Sequence, residues 1–341
     1  MAVMTYAQAA RLALQQEMER DPLVWALGED LGPEGGVSGQ YLGLQQQFGK
    51  QRIVDAPISE STIMGAAIGA AICGTRPVVE LRYADFGICA ADEIVNQAAK
   101  IRYMLGGQVR VPAVIRQPIG MRDGMAAQHS QSTEAWWIHI PGLVVVAPAT
   151  PADNHALLKA AIRCDDPVLY MEHKELWAVT GEVNAAAEPM PFGQAGILHD
   201  GSDITIVTWS GMVPVCLAAA GKLSARGCGA EVIDLRTLWP WDREAVFASV
   251  AKTGRLLVVH QAVRVGGFGG EIVAEVAERM FGSLKTAPHR LAAPRHPLTL
   301  RSRQRFRARR RRPCPPCARR STSARQQGPR APKHSSFPFP A

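Results

Sequence analysis

Four short segments carry side chains of types and spacings that could do chemistry. Ile58-Ser59-Glu60 sets a carboxylate at the junction of a strand and a helix, ahead of the small-residue run MGAAIGAAICG. A helix N-terminus favours the anion of such an acid by about 0.3–1 kcal/mol, and small residues let another element come close to the backbone. Taken alone, Glu60 also reads as an ordinary helix-start acid. Tyr83-Ala84-Asp85-Phe86 follows a strand; an aromatic there can stack on a flat ligand or simply fill core. Ala126-Ala127-Gln128-His129-Ser130-Gln131 is loop-like and holds His129 among polar neighbours. An imidazole suits proton transfer near neutrality, and an equally plain reading is a hydrogen-bonded structural histidine. Gly266-Gly267-Phe268-Gly269-Gly270 follows a strand and opens a helix. It is not GxGxxG and no Lys-Ser/Thr pair follows, so a tight turn is expected, not a phosphate cradle. There is no Walker A motif and no Gly-Asp-Gly; Arg122-Asp123-Gly124 comes nearest and lacks the first glycine.

The elements that must position these residues alternate between strand and helix. Strands are expected at Arg52–Ile58, Pro77–Arg82, Val111–Arg116, Leu143–Ala147 and Pro167–Glu172. Helices are expected at the N-terminus, over Glu60–Gly74, Ala90–Leu105 and Ala152–Arg163. That alternation implies a parallel sheet covered on both faces, with ligands collecting at the carboxyl ends of the strands. A polar stretch around Gly181–Gly193 reads as a linker. A smaller α/β unit follows, with strands Ile204–Trp209, Ala230–Leu235 and Arg255–His260 and helices Val213–Ala225, Arg243–Lys252 and Gly270–Phe281. The expected organisation is a first domain over 1–180, a linker over 181–200, a second domain over 201–295 and a disordered tail over 296–341.

With 47% hydrophobic and 20% charged residues, the 341-residue chain has a globular balance and no apolar run able to span a bilayer. Its net charge of +8 is a property of the end alone. Residues 295–341 hold thirteen Arg, one Lys and no acid, so 24 basic residues face 30 acidic ones in the remainder. A nucleic-acid-binding reading would rest on that tail alone, and the acidic body argues against it. The tail is also rich in proline and has no hydrophobic period, so it cannot build a core. Cys73, Cys89, Cys164, Cys216 and Cys228 fit no zinc spacing and read as reduced, buried thiols. The start lacks the order of a secretory signal, which makes a bacterial cytoplasm the expected address.

Read together and in order, longer segments narrow the field. GEDLGPEGGVSGQYLGLQQQFGKQRIVDAPISES, DEIVNQAAKIRYMLGGQ, VPAVIRQPIG, AAQHSQSTEAWWIHIPGLVVVAPATPAD, DDPVLYMEHKELW, VIDLRTLWPWD and GGFGGEI resemble one family collinearly over about residues 1–295. It is the beta subunit of the decarboxylating component of 2-oxoacid dehydrogenase complexes, which also takes in acetoin dehydrogenase. The resemblance implies a transketolase-like pyrimidine-binding domain followed by a smaller transketolase C-terminal α/β domain. It implies an alpha subunit in an α2β2 heterotetramer, with thiamine diphosphate lying between chains. The alpha subunit would bring Gly-Asp-Gly, Mg and the diphosphate contacts. A lipoyl acyltransferase component would take the product.

By the same resemblance Glu60 matches the glutamate that hydrogen-bonds the cofactor's pyrimidine nitrogen, and Phe86 the aromatic that stacks on that ring. His129 matches the histidine that assists acyl transfer to the lipoyl arm. Some members hold a K+ ion, with ligands that would here be Ala113, Ala161, Ile162, Cys164 and Asp166. Ser38 and His260 depart from the pattern at an entry loop and before the glycine turn. The end departs more: after a start on a final strand, the family's closing segment gives way to Arg, Pro and Ser, and a frameshift near 296–300 is expected. Competing expectations are half of a split transketolase or of a deoxyxylulose-phosphate synthase. EHKELW followed by GEV leans toward pyruvate or acetoin as substrate, although half of the deciding pocket belongs to another chain.

Overall fold

The computed structural model describes residues 1–122 and 124–295; the basic tail and its proposed frameshift lie outside the described residues. The first helix, Tyr6–Arg20, starts where the sequence supplies a capping box. Thr5 Oγ1 accepts from the Gln8 amide at 3.1 Å while Gln8 Oε1 accepts from the Thr5 amide at 2.8 Å. Its buried face, Ala9, Ala10, Ala13, Leu14 and Met18, packs on helix Pro151–Arg163. Arg163 secures that pairing through Glu17, Nη2 to Oε1 at 2.8 Å.

The first unit is built on a seven-stranded sheet. Its spatial order is Thr237–Trp239, Val144–Val146, Val168–Tyr170, Val114–Arg116, Arg76–Glu80, Val24–Gly28 and Ile53–Asp55. All neighbours are parallel except the first pair. Such strands are buried on both faces, and the runs of Val, Ile and Leu meet that demand. Helix Glu60–Ile72 covers one face with Ile63, Met64, Ala67, Ile68 and Ala71. The helix expected over Ala90–Leu105 is broken into a 3₁₀ turn Phe86–Ala90, a π stretch Glu93–Ala98 and a short α turn Ile101–Met104. At its end the Ala99 carbonyl presses on Gly142, where a Cβ would come within 2.0 Å of that oxygen.

The second unit is a five-stranded sheet ordered His289–Ala293, Leu256–Val263, Ile204–Thr208, Ala230–Asp234 and Gly196–His199, the last antiparallel. The stretch expected as a linker therefore holds two strands. Thr180–Val183 pairs with Ala2–Thr5, and Gly196–His199 edges the second sheet. The strand Thr237–Trp239 lies in the second unit's sequence and yet pairs with Val144–Val146 in the first sheet. Around Gly266–Gly270 the expected turn is formed, and its glycines are needed because His260 lies beneath. A Cβ on Gly267 or Gly269 would come within 2.7 or 2.8 Å of the imidazole. That ring is buried and stacked on Trp209, with centroids 5.2 Å apart. The thiols are free, as expected, but only Cys216 among the five is fully buried; Cys73 and Cys89 are exposed.

Candidate active site

Because the central strands are parallel, their carboxyl ends open at one edge, and the chemistry-bearing residues follow those ends. Glu29 comes after Val24–Gly28, Tyr83 and Phe86 after Arg76–Glu80, and Lys174 after Val168–Tyr170. His129 ends the 3₁₀ turn Ala127–His129. Its ring meets Tyr83 edge-on at 5.1 Å and Phe86 edge-on at 5.3 Å, while Tyr83 and Phe86 stand 5.6 Å apart. Three aromatic rings thus close on one another through edges. Phe86 and His129 are half-buried, while Tyr83 is buried.

Glu60 opens the adjoining helix, half-buried. The next residue ties this helix to the Phe86 turn: Ser61 Oγ donates to the Cys89 carbonyl at 2.6 Å. Glu29 faces Glu60, and its carboxyl is pushed up from the usual range by burial and then by the charge of Glu60. Arg82, held in the left-handed region at φ 53°, bonds Asp30 beside them. Glu60, Phe86 and His129 therefore share one edge of the sheet, with direct ring contact between the last two and a bridged helix carrying the first.

Sequence reasoning missed three contributors here. Glu29 sits within the GED segment without any spacing that marks it as Glu60's neighbour. Tyr83 was visible as an aromatic but not as the hub of the ring cluster. Lys174 is buried, a rare state for a lysine, and nothing local in HKELW foretells it. Its Nζ donates to the His129 carbonyl at 2.8 Å and lies 4.9 Å from the Tyr83 ring centroid.

Behind this edge a buried charge network stiffens the strand ends. Arg116 is fully buried and donates through Nε to Glu172 Oε2 at 2.9 Å. Glu172 Oε1 accepts from Asn154 Nδ2 at 3.0 Å, and Glu80 Oε2 accepts from the Tyr41 hydroxyl at 3.1 Å. Two carboxylates share one guanidinium. Burial pushes the Glu80 carboxyl up to about 7, against the pull of Arg116.

Of the residues expected to ligate K+, Ile162 and Cys164 bring their carbonyls to one point, while the other oxygens are engaged elsewhere. The Ile162 and Cys164 carbonyls converge on Arg76 Nη1, at 3.1 and 3.0 Å. Ala113 and Ala161 carbonyls accept from the amides of Val168 and Cys164. The Asp166 carboxylate pairs with Arg102. Two carbonyl oxygens meet there, where a hard cation requires several. A resident guanidinium already stands at both, so an ion would have to share those carbonyls. Among the described residues no cluster of three or more His, Cys, Asp or Glu could hold a metal. Asp123, in the nearest approach to Gly-Asp-Gly, lies outside the described residues.

The transketolase pyrimidine-binding domain model matches residues 2–179 and the transketolase C-terminal domain model residues 193–306. The 2-oxoisovalerate dehydrogenase subunit beta of Bacillus subtilis is 43% identical over 86% of this chain and 90% of its own length. The chain belongs to the transketolase-like beta subunits of 2-oxoacid and acetoin dehydrogenases. The beta subunit of acetoin:2,6-dichlorophenolindophenol oxidoreductase from Cupriavidus necator is 47% identical over 84% of this chain and 87% of its own length. A pyruvate dehydrogenase beta subunit from Rickettsia conorii is 44% identical over 82% of this chain and 86% of its own length. A split-gene transketolase, solved as an inactive beta4 tetramer, overlays with a TM-score of 0.70 at 23% identity over 85% of this chain and 89% of that chain. That last likeness speaks to the fold. No helix among the described residues is long and apolar enough to cross a membrane.

Proposed function

We propose that this chain supplies the pyrimidine-gripping half of a thiamine-diphosphate site shared with an alpha subunit, in an α2β2 oxidoreductase of the bacterial cytoplasm. The observation that carries the reading is the meeting of Phe86 and His129 rings at the strand ends, with the Glu60 helix bonded to the same turn. A second feature supports a shared site. The Glu60 helix leaves Ser61, Gly65, Ala66 and Gly69 exposed beside exposed Ile58 and Ile88, an apolar, small-residue surface that a neighbouring chain can approach closely.

Bound here, thiamine diphosphate would supply the nucleophile that adds to the oxo carbon and the electron sink that permits loss of CO2 from a 2-oxoacid or of acetaldehyde from acetoin. Glu60 would hold a proton between its carboxyl and the pyrimidine ring nitrogen. Phe86, steadied by the edges of Tyr83 and His129, would offer its face to the pyrimidine. His129 would donate or accept a proton at the acyl group as it passes to a lipoyl arm. The substrate is a small 2-oxoacid or acetoin.

The test is reduction of 2,6-dichlorophenolindophenol by this chain co-expressed with its alpha partner, offered pyruvate, branched 2-oxoacids and acetoin in turn. Cofactor-dependent turnover on one of them, lost in Glu60→Ala, supports the proposal. A soluble, assembled pair that reduces no dye but transfers ketol groups between sugar phosphates would instead make it a split transketolase half.

A further inference from the structure

Resting on that reading of His129, we propose that Lys174 is a positioning residue: its ammonium fixes the His129 segment, and with it the imidazole, against the Phe86 ring.

Lys174 arrives at the site from a different strand than either partner, just beyond Val168–Tyr170, and its backbone is anchored by its amide to the Ile119 carbonyl at 3.1 Å. The stem is buried and the ammonium reaches the His129 carbonyl at 2.8 Å. It does so across the face of Tyr83, the same ring whose edge contacts hold His129 and Phe86. One cation thus clamps the main chain of His129 from one side while its π partner orders the side chain from the other. A charge-assisted bond to a backbone carbonyl is about twice as strong as a neutral one. An ammonium over a desolvated ring is held more strongly than one over an exposed ring.

The remaining polar contacts of the segment serve the same end. Asp85, between Tyr83 and Phe86, accepts from Gln131 Nε2 at 2.9 Å and from the Gln131 amide at 3.3 Å. The segment is therefore held at both ends, by Lys174 at His129 and by Asp85 at Gln131. Asp85 also attracts the Lys174 charge and Arg122 opposes it; with burial dominating, the ammonium is brought down to about 8. Lys174 bonds the backbone of His129 and not its imidazole. Its influence on chemistry passes through that histidine.

The test compares Lys174→Met and Lys174→Arg in the co-expressed complex, using two rates and one spectrum. The rates are dye reduction, which bypasses the lipoyl arm, and reductive acylation of a lipoyl domain. The spectrum follows the His129 Cε1–H resonance in histidine-labelled protein, identified by its loss in His129→Asn and displaced by the ring currents of Tyr83 and Phe86. In Lys174→Met that displacement should collapse, and lipoyl acylation should fall roughly 10- to 100-fold relative to dye reduction, as for a misplaced reacting group. Lys174→Arg, which keeps the charge and a donor, should recover most of both. An unmoved His129 resonance in Lys174→Met overturns the proposal, as does an equal fall of both rates with a normal resonance. If the resonance collapses while His129→Asn itself leaves the ratio of rates unchanged, Lys174 still positions His129. It is then the assigned role of His129 that fails.

Discussion

Glu80 should set a measurable part of the chain's pH-dependent stability. In the fold its carboxyl is fully enclosed, shares Arg116 with Glu172 and titrates at about 7, against 4.5 when unfolded. A carboxyl whose folded value is raised binds more protons in the native state across the interval between the two values. Its contribution is therefore fully present below the unfolded value and lost as pH rises through the folded one. At about 1.36 kcal/mol per pKa unit, the interval from 4.5 to about 7 corresponds to about 3 kcal/mol, most of it crossed between pH 5 and pH 8. Glu80→Gln removes the titration and keeps an oxygen for the Tyr41 hydroxyl. Compared with wild type, the variant should gain about 2–3 kcal/mol on going from pH 5 to pH 8, or about 3–5 °C in the thermal midpoint. Asp234, raised to about 8 by its own burial, titrates in both proteins and cancels in the difference. Circular dichroism melts of the full chain at the two pH values give the four midpoints needed. A gap between wild type and variant that is the same at pH 5 and pH 8 would show that Glu80 is ionised throughout and refute the reasoning.

Arg116→Met should cost about 3–5 kcal/mol, since it strands Glu172 without its charged partner; a thermal midpoint within a degree or two of wild type would contradict the buried pairing. Gly120 sits at φ +87° with an added Cβ 2.0 Å from His173 Nε2. Gly120→Ala should lower the midpoint through about 1–2 kcal/mol of backbone strain plus displacement of that ring, and an unchanged midpoint would count against the packing. For the cation, thermal midpoints in matched K+ and Na+ buffers decide the matter: a K+-specific rise supports an ion sharing the Ile162 and Cys164 carbonyls with Arg76, and identical midpoints dismiss it.

Much of this architecture was legible because the signals were local. The Val- and Ile-rich runs and the small-residue helix after Glu60 each fix their own segment, and five strands of the first sheet overlap their expected spans, whereas Val24–Gly28, inside the same sheet, is not among the expected strands. The broken helix after Phe86 was not legible. Its residues have helical composition, and it is the packing of Ala99 against Gly142, forty-three residues on, that accompanies the irregular path. Buried charge was invisible for a similar reason. Arg116, Glu80, Glu172 and Lys174 are ordinary surface types in sequence, and only the strand order carries them inside. For the candidate site, Glu60, Phe86 and His129 come from motif resemblance; the packing of Tyr83 on the last two and the lysine that clamps His129 come from the fold.

The strand Thr237–Trp239 bears on how this protein can be dissected. It covers Val144–Val146, an all-valine strand that would otherwise end the first sheet with unpaired amides and carbonyls. A naked edge of that kind is a template for pairing with any extended chain. Cutting between the two homology regions, where the connecting residues invite a fragment boundary, would uncover it. The first region expressed alone should aggregate through this edge, and adding the second in trans should restore solubility by docking three residues. The second half thus lends the first the strand that closes its sheet.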